Sequence, residues 1–286
     1  MAEVILNAVI NGLMYGSFWG VIALGFTLVF GIMDFVNFAI GYFVLVPAYI
    51  TFFLFMKFGF DPYFSLIFVI PISFFLGVVL YKLLGARLAD EPHSAHIVVT
   101  LGVCFFIENF LLLLAGGDLR SAVTSYTSST IVLGPMIISY PRLWATIVSW
   151  ICVIVLFVFL KYTDLGKSMR SAADNKTGAR IVGIYVDRVY MIAFGFSVMI
   201  AGIAGGVLIP FYLMSPFSGM EFLVKAFGAV VIGGLGSIPG AIVGGLIIGI
   251  VEALGGVFFK ASLGNALTFS IVICVLLFKP SGLFGE

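Results

Sequence analysis

The chain has 286 residues, 62% of them hydrophobic and only 9% charged, with a formal net charge of +1. Soluble domains carry about 25% charged residues, so this composition excludes an aqueous globule and defines a polytopic membrane protein. The near-neutral balance, without a basic run, gives no electrostatic footprint for nucleic acid.

The opening "MAEVILNAVING" lacks a basic n-region, and its apolar run outlasts a signal-peptide core, so it reads as a first span. Crossing about 30 Å of hydrocarbon takes about 20 residues. By that measure spans are predicted at about 5–30, 39–56, 63–81, 95–115, 143–160, 189–213 and 265–279. A Gly-rich apolar block at about 222–258, interrupted at "GSIPG", reads as two spans or as one broken hairpin. The expected fold is all-α and polytopic: one transmembrane domain over 1–286 with about eight helices (seven to nine). Two segments are broken by Gly or Pro, and an inverted repeat is expected to relate the halves.

The loop at 161–188 carries Lys161, Lys167, Arg170, Lys176, Arg180 and Arg188, a density that marks the cytoplasmic side. Lys82, Arg87 and Lys279 then also fall inside, nine basic residues in all. Lys57, Arg120, Arg142, Lys225 and Lys260, five residues, fall outside or near that interface, and the N-terminus starts outside. The outer loop at 117–142 turns strand-like around Gly134-Pro135, which predicts a short hairpin. In the 161–188 loop, Ala172, Ala173, Ala179 and "ARIVGI" predict one or two short helices, with Ile181, Val182 and Ile184 as an apolar edge. That pattern suits either a docking element or a solvated connector.

Glycines recur at four-residue spacing at 12/16/20, 202/206, 240/244 and 245/249, which in lipid makes close-packing seams. Two segments interrupt themselves more severely: "FTLVFGIMDFVNFAIGY" at 26–42 and "GAVVIGGLGSIPGAIVGGLIIG" at 228–249. A broken helix frees backbone groups that lipid cannot satisfy, so such segments face protein or a wet path, and half-helix N-termini suit electron-rich groups. Thr27 and Asn37 are the polar candidates for solute contact. Thr27 can instead bond back to its own helix, and Asp34 can fix the break, cap the next helix or face an inner vestibule. Glu108 and Glu252 are expected to pair with polar groups on neighbouring helices, and Glu221 with Lys225 four residues on.

Cys104, Cys152 and Cys274 read as small packing residues, and His93 and His96 as solvated or interfacial imidazoles without a ligand cluster. "LGKS" at 165–168 lacks the upstream glycine of a phosphate loop, because position 161 is Lys. Gly234-x-Gly236 is followed by Pro239, so the dinucleotide fingerprint fails. No catalytic pair is found, and no metal or cofactor is expected. The chain reads as a path without an engine.

Four stretches carry a family likeness: "GVIALGFTLVFGIMDFVNFAIGY", "MRSAADNKTGARIVGIYVDRVYMIAF", "KAFGAVVIGGLGSIPGAIVGGLIIGIVEAL" and "LLFKPSGLFG". Together they resemble the branched-chain amino acid ABC transporter permease family, closest to its LivH-type subunit, in collinear order over nearly the whole chain. The resemblance implies a subunit in a prokaryotic inner membrane that hydrolyses nothing itself. Its implied partners are a second, LivM-like permease, two cytoplasmic ATPases, an extracytoplasmic solute-binding protein and a small-molecule solute. It places Thr27, Asn37, Gly41, Tyr42, Gly233, Gly234, Gly236 and Ser237 along the translocation path. It places Ala172, Ala173, Gly178, Ala179, Arg180 and Gly183 in the ATPase-coupling element.

Two departures stand out: Ile40 and Tyr42 replace the family's usual His and Glu, and Glu108 replaces a Gln. Apolar amino acids such as leucine are the first expectation for cargo. Urea, short amides or aromatic acids are alternatives that Tyr42 also suits. A stand-alone proton-coupled carrier or facilitator using Asp34, Glu108 or Glu252 is the rival of another class.

Overall fold

The computed structural model describes residues 1–134, 136–258, 261–279 and 281–285. The predicted spans map onto helices in order: α1 (Ala2–Met33), α2 (Ile40–Phe58) and α3 (Pro62–Leu80). A π-helical turn (Tyr81–Gly85) leads from α3 into α4 (Ala86–Leu88), followed by α5 (His93–Ala115). Strands β1 (Thr130–Leu133) and β2 (Met136–Ser139) precede α6 (Tyr140–Tyr162). Two short helices, α7 (Asp164–Asp174) and α8 (Lys176–Ile181), come next, then α9 (Val186–Leu208), α10 (Ser218–Gly233), α11 (Ile238–Phe258) and α12 (Ala261–Phe278).

Among the described residues, seven helices are long and apolar enough to cross a membrane: α1, α2, α3 with its extension, α5, α6, α9 and α11. The chain is a multi-pass membrane protein of the all-α class. α1 and α9 are the most enclosed, while α3, α5 and α6 leave most of their surface open. Aliphatic and aromatic side chains such as Phe64, Phe75, Phe106 and Ile154 cover that open surface, as a lipid-facing helix requires.

Local sequence sets several boundaries. Asp61 caps α3 by accepting from the Tyr63 N–H at 2.9 Å, with Pro62 at the first helical position. Thr163 caps α7 through the Gly166 N–H at 3.0 Å, and Asn175 caps α8 through the Gly178 N–H at 2.8 Å. The outer hairpin forms as expected, with Thr130 opposite Ser139 and Leu133 opposite Met136. Its Pro135 lies outside the described residues, as does Lys260.

α1 and α11 pack backbone against backbone along a glycine seam. A Cβ added at Gly16 would stand 2.6 Å from the Leu246 Cα, and one at Gly249 would stand 2.2 Å from the Gly12 carbonyl oxygen. Only glycine lets these backbones approach so closely, which is how lipid-embedded helices gain dispersion contacts.

Both interrupted segments are broken. After α1, residues 34–37 have no regular structure, and α2 begins only at Ile40. The extended stretch climbs along α5: Asp34 meets His93, Phe38 meets Thr100 and Cys104, and Tyr42 meets Glu108. At 1.5 Å per residue, the rise from His93 to Glu108 is about 22 Å, so α2 starts well inside the bilayer. The Gly-rich block divides at 234–237 into α10 and α11, antiparallel neighbours. α10 starts beside Met214, which pairs with Arg120 of the outer loop, and its tip reaches the level of α7. Its 16 residues extend about 24 Å, short of the about 30 Å of a hydrocarbon core, whereas α11 is long enough to span.

Candidate transport site

The first break is made by one residue in an unusual conformation. Asp34 has φ 53°, the sole non-glycine residue with positive φ among those described, and its N–H closes α1 by donating to the Phe30 carbonyl at 2.8 Å. Its carboxylate is exposed and lies 3.1 Å from His93 Nε2. Asp34 thus lines a cavity and caps no following helix. His96 differs from its expectation: it is buried, stacks on Phe35 at 4.3 Å and donates from Nε2 to the Leu88 carbonyl. Phe35, turned inward by the break, supplies the apolar surface that buries it.

The second break uses glycine as expected, with φ 106° at Gly234 and 85° at Gly236. Ser237 then accepts from the Gly240 N–H at 3.2 Å and starts α11. The C-terminal tail completes this corner. The Leu283 and Phe284 N–H groups donate at 2.9 Å to the Ile232 and Gly233 carbonyls, the last acceptors of α10, which its own helix cannot satisfy. Sequence reasoning missed this role, because nothing in "SGLFG" carries a helix-cap signature.

The two breaks meet. A Cβ at Gly31 would stand 3.2 Å from the Gly236 carbonyl oxygen. Around this contact lie two cavities. One, of about 820 Å³, is lined by Asp34, Ala173, Lys176, Gly236 and Ser237 among others. The other, of about 620 Å³, is lined by Thr27, Gly31, Lys161, Arg170, Gly236 and Ser237 among others. Thr27 is buried, and its Oγ1 has no hydrogen-bond partner among the described residues, so it does not bond back to its helix.

Thr27, Gly236 and Ser237 are therefore brought together, and the other sequence candidates are not. Asn37 is buried; its Oδ1 accepts from the Ala39 N–H at 3.0 Å, and its Nδ2 lacks a partner among the described residues. A Cβ at Gly41 would stand 2.3 Å from the Gly219 carbonyl oxygen, which makes Gly41 a crossing point of α2 and α10. Tyr42 packs its ring on Gly219 and donates from its hydroxyl to Glu108 Oε2 at 2.8 Å. Gly233 abuts Gly240, and Gly234 abuts Gly285. These four residues are in close helix or side-chain contacts.

Paired carboxylates follow the expected pattern. Lys225 is buried and bonds Glu221 at 2.8 Å and Glu252 at 2.6 Å, with its ammonium 4.6 Å from the Trp19 ring. Sequence spacing gave the first partner; the second comes from α11 and has no local signal.

In the basic 161–188 loop, α7 and α8 form, two short helices where one or two were expected. Ala172 and Ala179 are buried, whereas Ala173, Arg180 and Gly183 are exposed and Gly178 is half-buried. Ile181, Val182 and Tyr185 are 80%, 75% and 71% exposed and make an apolar knob, while Ile184 is half-buried. Lys176 bonds Asp90 and holds that carboxyl below its ordinary range.

A membrane-spanning helical chain, with cavities at helix breaks and a knob outside the bilayer, has the architecture of a transport permease. The chain belongs to the family described as branched-chain amino acid transport system / permease component, which it matches over residues 8–278. It is similar to the high-affinity branched-chain amino acid transport system permease protein LivH of Escherichia coli (strain K12), at 31% identity over 98% of this chain and 96% of that protein. It is 28% identical to BraD, the corresponding permease protein of Pseudomonas aeruginosa, over 98% of this chain and 96% of that one. A probable branched-chain amino acid transport permease, LivH, of Methanocaldococcus jannaschii is 27% identical, covering 96% and 91% respectively. The family is a transport component, not an enzyme.

Proposed function

We propose that this chain is one permease subunit of an ATP-driven importer in a prokaryotic inner membrane, carrying branched-chain or other apolar amino acids. A second, LivM-like permease, two cytoplasmic ATPases and an extracytoplasmic binding protein complete the assembly. The observation that carries this reading is the meeting of the two breaks at Gly31 and Gly236, with cavities on both sides of the contact and an orphan Thr27 hydroxyl in one of them. In that reading Thr27, Gly236 and Ser237 line the inner part of the path, and Asn37 offers its amide where α2 starts.

The exposed Ile181–Val182–Tyr185 knob, carried by α8 and the turn after it, is the seat for an ATPase. Apolar side chains this open to water are stabilised when a partner covers them. Ala172 and Ala179 lie beneath, positioning the knob rather than touching the partner.

The carrier alternative is weaker on physical grounds. Glu252 is held by Lys225 and Glu108 by Tyr42, so neither carboxylate stands free to shuttle a proton. Reconstitution with the neighbouring ATPases, partner permease and binding protein tests the reading. Labelled leucine uptake is expected to require ATP and to stop with vanadate. Uptake by the chain alone under a pH gradient would overturn it.

A further inference from the structure

A third cavity, of about 780 Å³, opens at the opposite end of α1 from the helix breaks, between α1, α11, the β-hairpin and the start of α6. It is unlike a lipid crevice, because Arg142 lines one wall, Glu252 another, and the Tyr15 and Trp19 rings lie between them. The Arg142 guanidinium sits 4.9 Å from the Tyr15 ring and donates from Nη1 to Asn11 Oδ1 at 3.0 Å, which fixes its plane. Arg142 Nε, Glu252 Oε2 and Trp19 Nε1 have no hydrogen-bond partner among the described residues. These atoms lie just beneath the wall, shielded from water. The Arg142 and Glu252 side chains are half-buried, and both line the cavity.

Unpaired polar atoms of opposite sign, at a cavity in a membrane protein, call for a ligand that supplies both complements. The charges here balance. Arg142 and Lys225 stand against Glu221 and Glu252, with Lys225 already bonded to both acids. A ligand of net charge would leave one orphan unsatisfied; a dipolar ligand of zero net charge satisfies both.

We propose that this outer cavity binds a zwitterionic, apolar α-amino acid, its carboxylate on Arg142 Nε and its ammonium on Glu252 Oε2. The ligand's apolar side chain lies over the Tyr15 ring, where Gly256 leaves open space on the facing helix. The site rests on the permease reading and adds an outer waiting station. Val21, Ile22, Ala23 and Leu24 form a fully buried band of α1 between it and the inner cavities.

The test is thiol protection. In the assembled complex carrying Cys274→Ser, the cavity-lining Ala253 is replaced by Cys and labelled from outside with a membrane-impermeant maleimide. Leucine at about ten times its Kd is expected to slow labelling about tenfold. 4-Methylpentanoic acid, which is leucine without the ammonium, and isoamylamine, which is leucine without the carboxylate, are expected to leave the rate unchanged. Arg142→Gln and Glu252→Gln are each expected to remove the leucine effect without altering the unprotected rate. The second keeps an acceptor for Lys225, which retains Glu221; Arg142→Lys keeps the charge if the Gln variant fails to assemble. No protection by leucine, equal protection by either analogue, or protection surviving both substitutions would overturn the site. ATP-driven leucine uptake by the unmodified complex is read separately. Uptake without protection overturns the site and leaves the importer reading standing, whereas protection without ATP-driven uptake supports the site and overturns that reading.

Discussion

Tyr42 and Glu108 look like two unrelated departures from the family pattern, yet they form one contact. The Tyr42 hydroxyl reaches Glu108 Oε2 at 2.8 Å, and its ring lies against Gly219, so the pair ties the start of α2 to α5 and α10. Ile40 fits the same account, placing its Cδ1 3.3 Å from the position of a Gly25 Cβ. Such a pair is a structural bond rather than a solute contact. Tyr42→Phe removes the donor and strands a carboxylate oxygen, at an expected cost of about 1–3 kcal/mol. Glu108→Gln strands nothing comparable, so a double-mutant cycle read by thermal unfolding of the purified complex should show a coupling of about 1 kcal/mol. Leucine uptake per folded transporter should stay near the parent value in both variants. A changed solute preference in Tyr42→Phe would return Tyr42 to the path.

At the scale of elements, the α7–α8 corner separates what the sequence pattern could show from what it could not. Alanine spacing and charge predicted one or two short helices here, and α7 and α8 form, because amphipathic periodicity is a local signal. Which alanines face inward depends on how α8 meets α9, a contact with no local signature. Ala179 is buried and Ile181 is exposed. Ala179→Glu would therefore break the corner itself. Ile181→Asp and Val182→Asp change only its water-facing edge. These two are expected to leave expression and thermal stability within about 0.5 kcal/mol of the parent while abolishing ATPase co-purification. Retained co-purification would remove the knob from the interface. The same corner carries a pH dependence. The Lys176 ammonium bonded to Asp90 holds that carboxyl below its ordinary range, so the tether is complete above the ordinary carboxylate pKa of about 4. It is lost as pH falls through the lowered one. Hydrogen exchange across 164–185 should be flat from neutral pH down to that window and accelerate below it, after correction for intrinsic rates. Asp90→Asn should show the faster exchange already at neutral pH.

For the whole molecule, the spans and both breaks were legible because lipid demands long apolar runs and glycine marks where they fail. The tail on α10, the burial of His96 and the second partner of Lys225 were not, since each joins residues far apart in sequence. The meeting of the two breaks is also long-range, and it yields the sharpest prediction about movement. If access alternates, the end of α1 and the 234–237 tip must separate in each cycle. A Cβ at Gly31 would lie 3.5 Å from the Gly236 Cα, and one at Gly236 would lie 3.8 Å from the Gly31 Cα. The two positions are thus direct neighbours, as a disulfide between them requires. Gly31→Cys with Gly236→Cys is therefore expected to cross-link on oxidation and to stop ATP-driven uptake, which reductant restores. Gly236 has φ 85°, so the single Gly236→Cys variant carries backbone strain of about 1–3 kcal/mol and sets the baseline. Full uptake by the oxidised double variant, with the cross-link verified by mass, would mean that solute passes without parting the two breaks, and the path would have to lie elsewhere in the assembly.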